Sequence, residues 1–254
     1  MKLFSNRKVL LVLLLAQVAL TFACTKSTEN PSIPGNPANP VIEKGVVKGR
    51  VTDTRGNGIP NIKLVIEHTV YYGNYVFAIT DQHGYYKTSV SNGSWQVTSQ
   101  LELLLNGQTY KFDLHPDDPS AFAGTSGAIR NFTWKLQGAK PGGGYYGSGV
   151  AIYPEPGTSL ELSDVEITLT PVGLLADGST GAIITSSLTD IGGGEDGIPN
   201  IPIAKYRVTA RNKTTNKALQ IRLRNTGSYA DSVEGIFKSG YTGSTQYQLV
   251  LQVK

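Results

Sequence analysis

Beyond about residue 46 the apolar positions recur every second residue, in short runs separated by glycine-rich turns. Side chains on a strand point alternately to its two faces, so this period predicts β-strands with one buried face. Val47, Gly49 and Val51 alternate with Lys48 and Arg50. Ile62, Leu64, Ile66, His68, Val70 and Tyr72 share one face, with Lys63, Glu67 and Thr69 opposite. Gly73-Asn74 then offers a two-residue turn, and pairing Tyr72 with Tyr75 sets Val70 against Phe77 and His68 against Ile79. A second hairpin folds about Asn106-Gly107, the preferred type I′ dipeptide. It gathers Leu101, Leu103, Leu105, Tyr110, Phe112 and Leu114 on one face and sets Glu102 across from Lys111.

Tyr86/Thr88/Val90, Trp95/Val97/Ser99 and Phe132/Trp134/Leu136 alternate in the same way. So many short strands in under a hundred residues predict a β-sandwich over 43–138. Pro141 to Gly144 reads as a linker. Past it, Val165/Ile167/Leu169, Tyr206/Val208/Ala210, Leu219/Ile221/Leu223 and Tyr247/Leu249/Leu251/Val253 predict a second sandwich over 142–254. The expected fold is therefore all-β, two consecutive β-sandwich domains. IPIAKYRVTAR echoes NGSWQVTSQ of the first half, which suggests a diverged second copy. The pentapeptide GIPNI occurs at 58–62 and at 197–201, before different kinds of strand, and reads as a chance identity.

The N-terminus breaks this pattern. Residues 1–8 are basic, Val9 to Leu15 is an unbroken apolar run, and apolar character resumes through Phe22. This is the shape of a secretory signal over 1–23, with a core short for a membrane span. It ends at Ala23-Cys24, which resembles a bacterial lipoprotein signal, although Thr21 and Phe22 depart from its usual residues. Cys24 is the only cysteine in the chain, so no disulfide can form within it. Lipidation of Cys24 is the expectation, and a cleaved signal that merely contains a cysteine is the alternative. Residues 24–42 carry Pro31, Pro34, Pro37 and Pro40 and little apolar matter, and read as an extended tether reaching roughly 55 Å.

The stretch VVKGRVTDTRGNGIPNIKLVIE, followed by TDQHGYYKTSV and NGSWQVTSQ, resembles the carboxypeptidase regulatory-like domain. The matching positions are Gly49, Val51, Asp53, Gly58, Ile62, Thr80, Asp81, Gly84, Tyr85, Gly93 and Val97, within about residues 45–100. The resemblance implies a prealbumin-like sandwich for the first half. It also implies a structural or binding module, common in exported bacterial lipoproteins, transporters and peptidases, and carries no catalytic residue.

The formal charge of +4 falls to about +1 once Lys2, Arg7 and Lys8 leave with the signal, so a nucleic-acid partner is not expected. None of His68, His83 and His115 has the glutamate spacing of a zinc peptidase, and no GxSxG elbow or phosphate loop occurs. His68, on an apolar face, reads as a core histidine. The chain is thus expected to be no enzyme, with no cofactor and no metal. Acidic loops at Asp117-Asp118 and Asp190–Asp196 lack the EF-hand spacing; calcium binding is weighed there against simple solvation. Tyr71, Tyr85, Tyr145 and Tyr146 are candidate stacking residues for a glycan, while Tyr72, Tyr75 and Tyr86 are expected in the core. If Val208 meets Ile221, then Arg207 faces Arg222 and Lys205 faces Arg224. Such like charges need a counter-ion, either Asp164 and Glu166 or an acidic ligand or anionic lipid surface. The function expected is a lipid-anchored cell-envelope protein, of the outer membrane by preference, that binds a glycan or an envelope protein. A structural spacer or adhesin stalk subunit is the alternative, and a hydrolase the least favoured reading.

Overall fold

The computed structural model describes residues 41–240 and 244–254. The signal sequence, Cys24 and nearly all of the tether lie outside the described residues. Val41–Lys254 forms one compact unit. Its described residues form strands and turns, as the period-two pattern requires, with one 3-10 turn among them at Leu162–Asp164.

The first half contains β1 (Val46–Thr52), β2 (Lys63–His68), β3 (Tyr75–Ile79), β4 (Tyr85–Ser89), β5 (Ser94–Leu105) and β6 (Gln108–Asp113). Four two-residue strands follow: β7 (His115–Pro116), β8 (Phe122–Ala123), β9 (Ala128–Ile129) and β10 (Phe132–Thr133). One sheet runs β4-β1-β10-β7 and the other β3-β2-β5-β6. Val47, Val51, Tyr86 and Phe132 from the first meet Leu64, Ile66, Trp95 and Val97 from the second in the core.

The second half contains β11 (Ser148–Pro154), β12 (Val165–Pro171), β13 (Ile184–Ser187), β14 (Thr189–Asp190), β15 (Asp196–Ile201) and β16 (Lys205–Asn212). It continues with β17 (Lys217–Leu219), β18 (Ile221–Leu223), β19 (Thr226–Ala230), β20 (Val233–Ile236), β21 (Lys238–Ser239) and β22 (Tyr247–Val253). Its sheets run β14-β15-β11-β22-β18-β19 and β13-β12-β16-β17, with β20 also on β16. Each half lays its first strand parallel to its last, β1 to β10 and β11 to β22. The halves meet where Tyr110, fully buried, donates to the Phe237 carbonyl at 2.8 Å. Beside it the Lys111 amide donates to the Tyr247 hydroxyl at 2.6 Å.

The Asn106-Gly107 hairpin has the expected register, with Leu103 opposite Tyr110 and Glu102 opposite Lys111, which form an ion pair at 2.7 Å. Asn106 and Gly107 both have positive φ (52° and 77°), as a type I′ turn demands. The Gly73-Asn74 hairpin is a correction. Tyr75 pairs with Glu67 and Phe77 with Val65, five residues out of the expected register. The odd offset turns Tyr75, Phe77 and Ile79 to the outside. The cause is His68: it ends the strand by accepting the Val70 and Tyr71 amides on Nδ1, both at 3.1 Å. Val70 and Tyr72 are therefore loop residues, 72% and 98% exposed.

The repeated GIPNI takes a similar backbone form in both halves. Asn61 and Asn200 both adopt left-handed φ (59° and 62°). A Cβ on Gly58 would lie 1.9 Å from the His83 carbonyl oxygen, and one on Gly197 would lie 2.1 Å from that of Val150. Both segments run antiparallel to the first strand of their half and bury the final isoleucine.

Candidate functional site

The offset hairpin builds the main exposed apolar feature of the first half. Tyr75, Phe77 and Ile79 lie on the outer face of β3 and are 39%, 51% and 66% exposed. The Tyr75 and Phe77 rings are nearly parallel, at 17°, with centroids 6.2 Å apart. Lys63 on the neighbouring strand holds Nζ 4.0 Å from the Phe77 ring centroid. The negative charge of Glu67, paired across from Tyr75, raises the Tyr75 pKa. Tyr71 and Tyr72 stand on the loop that leads into this strand.

The same face continues across the sheet, since Val65 pairs with Phe77 on one side and Thr98 on the other. Past Thr98 the far edge of β5 is uncovered, because β8 pairs with it only as far as Trp95 and β6 pairs with it only from Gln100 onward. A groove of about 540 Å³ opens there, lined by Lys63, Val65, Gln96, Thr98, Leu114 and Pro116 among others. A flat pair of rings, a cation and an amide-lined groove thus share one surface. Rings stack on apolar faces, and the polar groups fix orientation.

The four tyrosines singled out in the sequence sit at three separate places, the loop before β3, β4 and the connector, with no ring contact among them in the described residues. Tyr71 is 65% exposed, its ring centroid 4.7 Å from that of His68. Tyr85 is half-buried beneath the Arg50 guanidinium, at 5.1 Å. Tyr145 is 49% exposed on the connector. The Tyr146 hydroxyl lies 2.9 Å from His115 Nδ1, and burial, then the charge of Asp113, pushes it up to about 12. Tyr72 and Tyr75, expected in the core, are exposed instead, for the reason given by His68. Tyr86 is buried and donates to the Arg130 carbonyl at 2.7 Å, as expected of a core tyrosine.

A structure comparison finds several β-rich proteins at low identity. A DUF3823 family protein from Parabacteroides merdae is 12% identical, over 76% of this chain and 99% of its own, at a TM-score of 0.24. The C-terminal fragment of the pilus adhesin SpaC from Lactobacillus rhamnosus GG is 11% identical, over 82% of this chain and 98% of its own, with a TM-score of 0.24. A candidate carbohydrate-binding protein from Pseudomonas aeruginosa is 15% identical, over 38% of this chain and 92% of its own, again at 0.24. Comparisons with protein-family models and with curated proteins find no match.

The basic positions are corrected in part. The expected register of β16 holds, with Ala210 opposite Leu219, but the chain leaves that sheet at Gln220. Ile221 then pairs with Val253 of the other sheet, so Arg222 and Arg224 are carried away from β16. Arg207 instead faces Glu234, at 2.9 Å, and Lys205 bonds the same carboxylate at 2.6 Å. Arg222 donates to Gln252 Oε1 at 2.7 Å. Glu166 pairs with Arg211 at 2.6 Å rather than with the Arg207 group. Lys205 and Arg224 still line one groove, together with Lys238, which sequence reasoning missed because it sits on a strand of two residues.

The acidic loops spend their carboxylates internally. Asp117 accepts the Asn131 amide at 2.9 Å, and Asp118 pairs with Arg130 at 3.0 Å. Asp190 accepts the Gly192 amide at 2.7 Å, and Glu195 is bonded by Tyr153 and Gln248. His68 is a core residue, stacked edge-on at 5.0 Å from Trp95.

Proposed function

We propose that this chain is a non-catalytic binding protein of the cell envelope. It is exported by residues 1–23, held by lipid on Cys24, and spaced from the outer membrane by the 24–42 tether. Two β-sandwich domains, 43–138 and 142–254, follow, the first of the carboxypeptidase regulatory-like, prealbumin-like kind. Its ligand is a glycan, taken on the face that carries Tyr75 and Phe77.

One observation carries the reading: Tyr75, Phe77 and Ile79 form a contiguous exposed row, with Tyr71 and Tyr72 beside it. Single exposed apolar residues are ordinary, but a row of this kind marks an interaction surface. The matched positions of the first half support a module without chemistry, because they serve the backbone. Asp53 accepts the Arg55 and Asn57 amides, and Asp81 those of His83 and Tyr85.

Calorimetry against a glycan panel tests the reading. Replacing Tyr75 and Phe77 with Ala lowers affinity by about 1–3 kcal/mol, with melting little changed. Unchanged affinity for every glycan bound removes the face as the site. For the anchor, Cys24→Ser moves the chain from the detergent phase to the aqueous phase; a mutant that still partitions into detergent removes the lipid.

A second reading rests on β3 itself. It is the edge of its sheet, and the Tyr75, Phe77 and Ile79 peptide groups point away from β2. Such an edge accepts a strand from a partner protein. Ile79→Pro removes an outward amide but leaves both rings, so it weakens that pairing, whereas Phe77→Ala weakens glycan stacking.

A further inference from the structure

We propose that the second half holds a separate binding site for an acidic saccharide, in a groove rimmed by Lys205, Arg224 and Lys238. The site begins as a gap in a sheet. Along one edge of β22, β21 covers Tyr247 and Gln248, and β18 covers Leu251 to Val253. Between them, among the described residues, Leu249 has no neighbour on this edge and Val250 has only the Arg224 amide, and a groove of about 390 Å³ opens. Leu223, Leu249 and Ile236 give it an apolar floor. Gly235 keeps that floor low, because a Cβ there would lie 2.5 Å from Leu249 Cδ1.

The rim carries three cations against one carboxylate, Glu234. That carboxylate is already shared between Lys205 and Arg207. Both cations hold its pKa below the ordinary range, so it stays charged and committed to them. Arg224 stacks on the Tyr153 ring at 3.4 Å, and neither it nor Lys238 has an ion-pair partner among the described residues. Two positive charges are thus left over around an apolar floor. A concave surface of one sign concentrates ligands of the other, and a guanidinium fixed by stacking is preorganised to take a carboxylate through two donors.

The backbone of the gap argues for a sugar rather than a peptide. An added peptide strand needs a free ladder of main-chain groups, but the Val250 carbonyl already accepts the Arg224 amide at 3.0 Å. Side chains must supply recognition: beside the cations and the apolar floor, the Thr226 and Gln248 side-chain oxygens accept from sugar hydroxyls, since the Thr226 hydroxyl donates to the Arg224 carbonyl at 3.3 Å and Gln248 Nε2 to Glu195 at 3.1 Å. A pyranose ring with a carboxylate offers an apolar C–H face, hydroxyls and one negative charge, and so meets each of these.

This site lies in the other half of the chain from the aromatic face, and either can fail alone. The test is titration calorimetry on the full chain in detergent micelles with three probes: a uronic acid tetramer, its neutral hexose counterpart and a short polyglutamate peptide. The acidic tetramer is expected to bind, more weakly as salt rises, with the neutral one roughly tenfold weaker or worse. Lys238→Glu and Arg224→Gln should each weaken it about tenfold, and Arg222→Gln, which faces Gln252, by less than about threefold. Thermal melts check the fold. Should Arg224→Gln unfold for want of its ring contact, the exposed Lys238→Glu still decides. No binding of the acidic tetramer, equal binding of the neutral one, tighter binding of polyglutamate, or indifference to Lys238→Glu overturns the proposal.

Discussion

A residue shared with a known family can mark chemistry or backbone geometry, and here Thr80 illustrates the second case. It is 3% exposed; its hydroxyl accepts the Ile62 amide at 2.8 Å and donates to the Ile59 carbonyl at 2.7 Å. Thr80→Val keeps the shape and strands both groups, so it should cost roughly 2–4 kcal/mol in urea unfolding. Thr88→Val, half-buried on β4 and with no side-chain bond among the described residues, should stay within about 0.5 kcal/mol. A small loss at Thr80 would mean that water replaces its partners. The glycines behave alike: Gly84 has φ +80°, and a Cβ there would lie 2.4 Å from the Val51 carbonyl oxygen. These roles are hidden in a sequence because the clashing atom belongs to a distant residue. The resemblance named the positions, and only the packing supplied the reason for each.

Strand existence was legible for β1 to β6 and for β12, β16 and β22, but not for β11, β13, β15, β19 or β20, and register was legible only where a turn dictated it. Asn106-Gly107 fixes its hairpin because both residues can take positive φ. Of Gly73 and Asn74 only Gly73 does so (φ 76°), and the pairing closes further back, with the His68 amide bonded to the Asn74 carbonyl at 3.0 Å. Period two ran on through Val70 and Tyr72, but alternation in a loop looks the same as alternation in a strand. The aromatic face was therefore misplaced by one side of a sheet. Denaturant melts should follow the observed register. Val70→Ser and Tyr72→Ser should each change stability by less than about 0.5 kcal/mol, whereas Ile66→Ala, fully buried, should cost about 2–5 kcal/mol. A loss of core size at Val70 would restore the shorter turn. A similar limit hid the basic groove: Leu219, Ile221 and Leu223 alternate as one strand, yet the chain changes sheets at Gln220 between them.

At the scale of the molecule the question is how firmly the two halves are joined. Asp113 at the end of β6 is one joint. It accepts Lys140 Nζ at 2.7 Å, Gln100 at 2.9 Å and the Thr245 hydroxyl at 3.1 Å, and so ties the first sandwich to the connector and to the segment before β22. Burial alone would raise its pKa, but these bonds and the Lys140 charge together lower it. A carboxyl with a lowered folded pKa contributes fully above its unfolded value, about 3.9. That contribution is lost as pH falls through the lower folded value. Melting temperature should therefore drop below about pH 4, and less so in Asp113→Asn, which has no charge left to lose; equal drops would move the effect to other carboxyls such as Glu43, whose pKa is about 2. The second joint is apolar and central: Tyr110 and Tyr247, ring centroids 4.8 Å apart, are both buried, with Phe237 beneath them. Burial of such aromatics couples the halves more strongly than any surface ion pair. Limited proteolysis should cut first in 25–42 and then at Gly142–Gly144, where Gly143 and Gly144 have positive φ and no atom crowds them. After the second cut the two fragments should still co-elute in native buffer, and they should part in Tyr110→Ala, which removes the ring and its bond to the Phe237 carbonyl. Fragments that separate in the unmutated chain would make 43–138 and 142–254 independent domains on a flexible link.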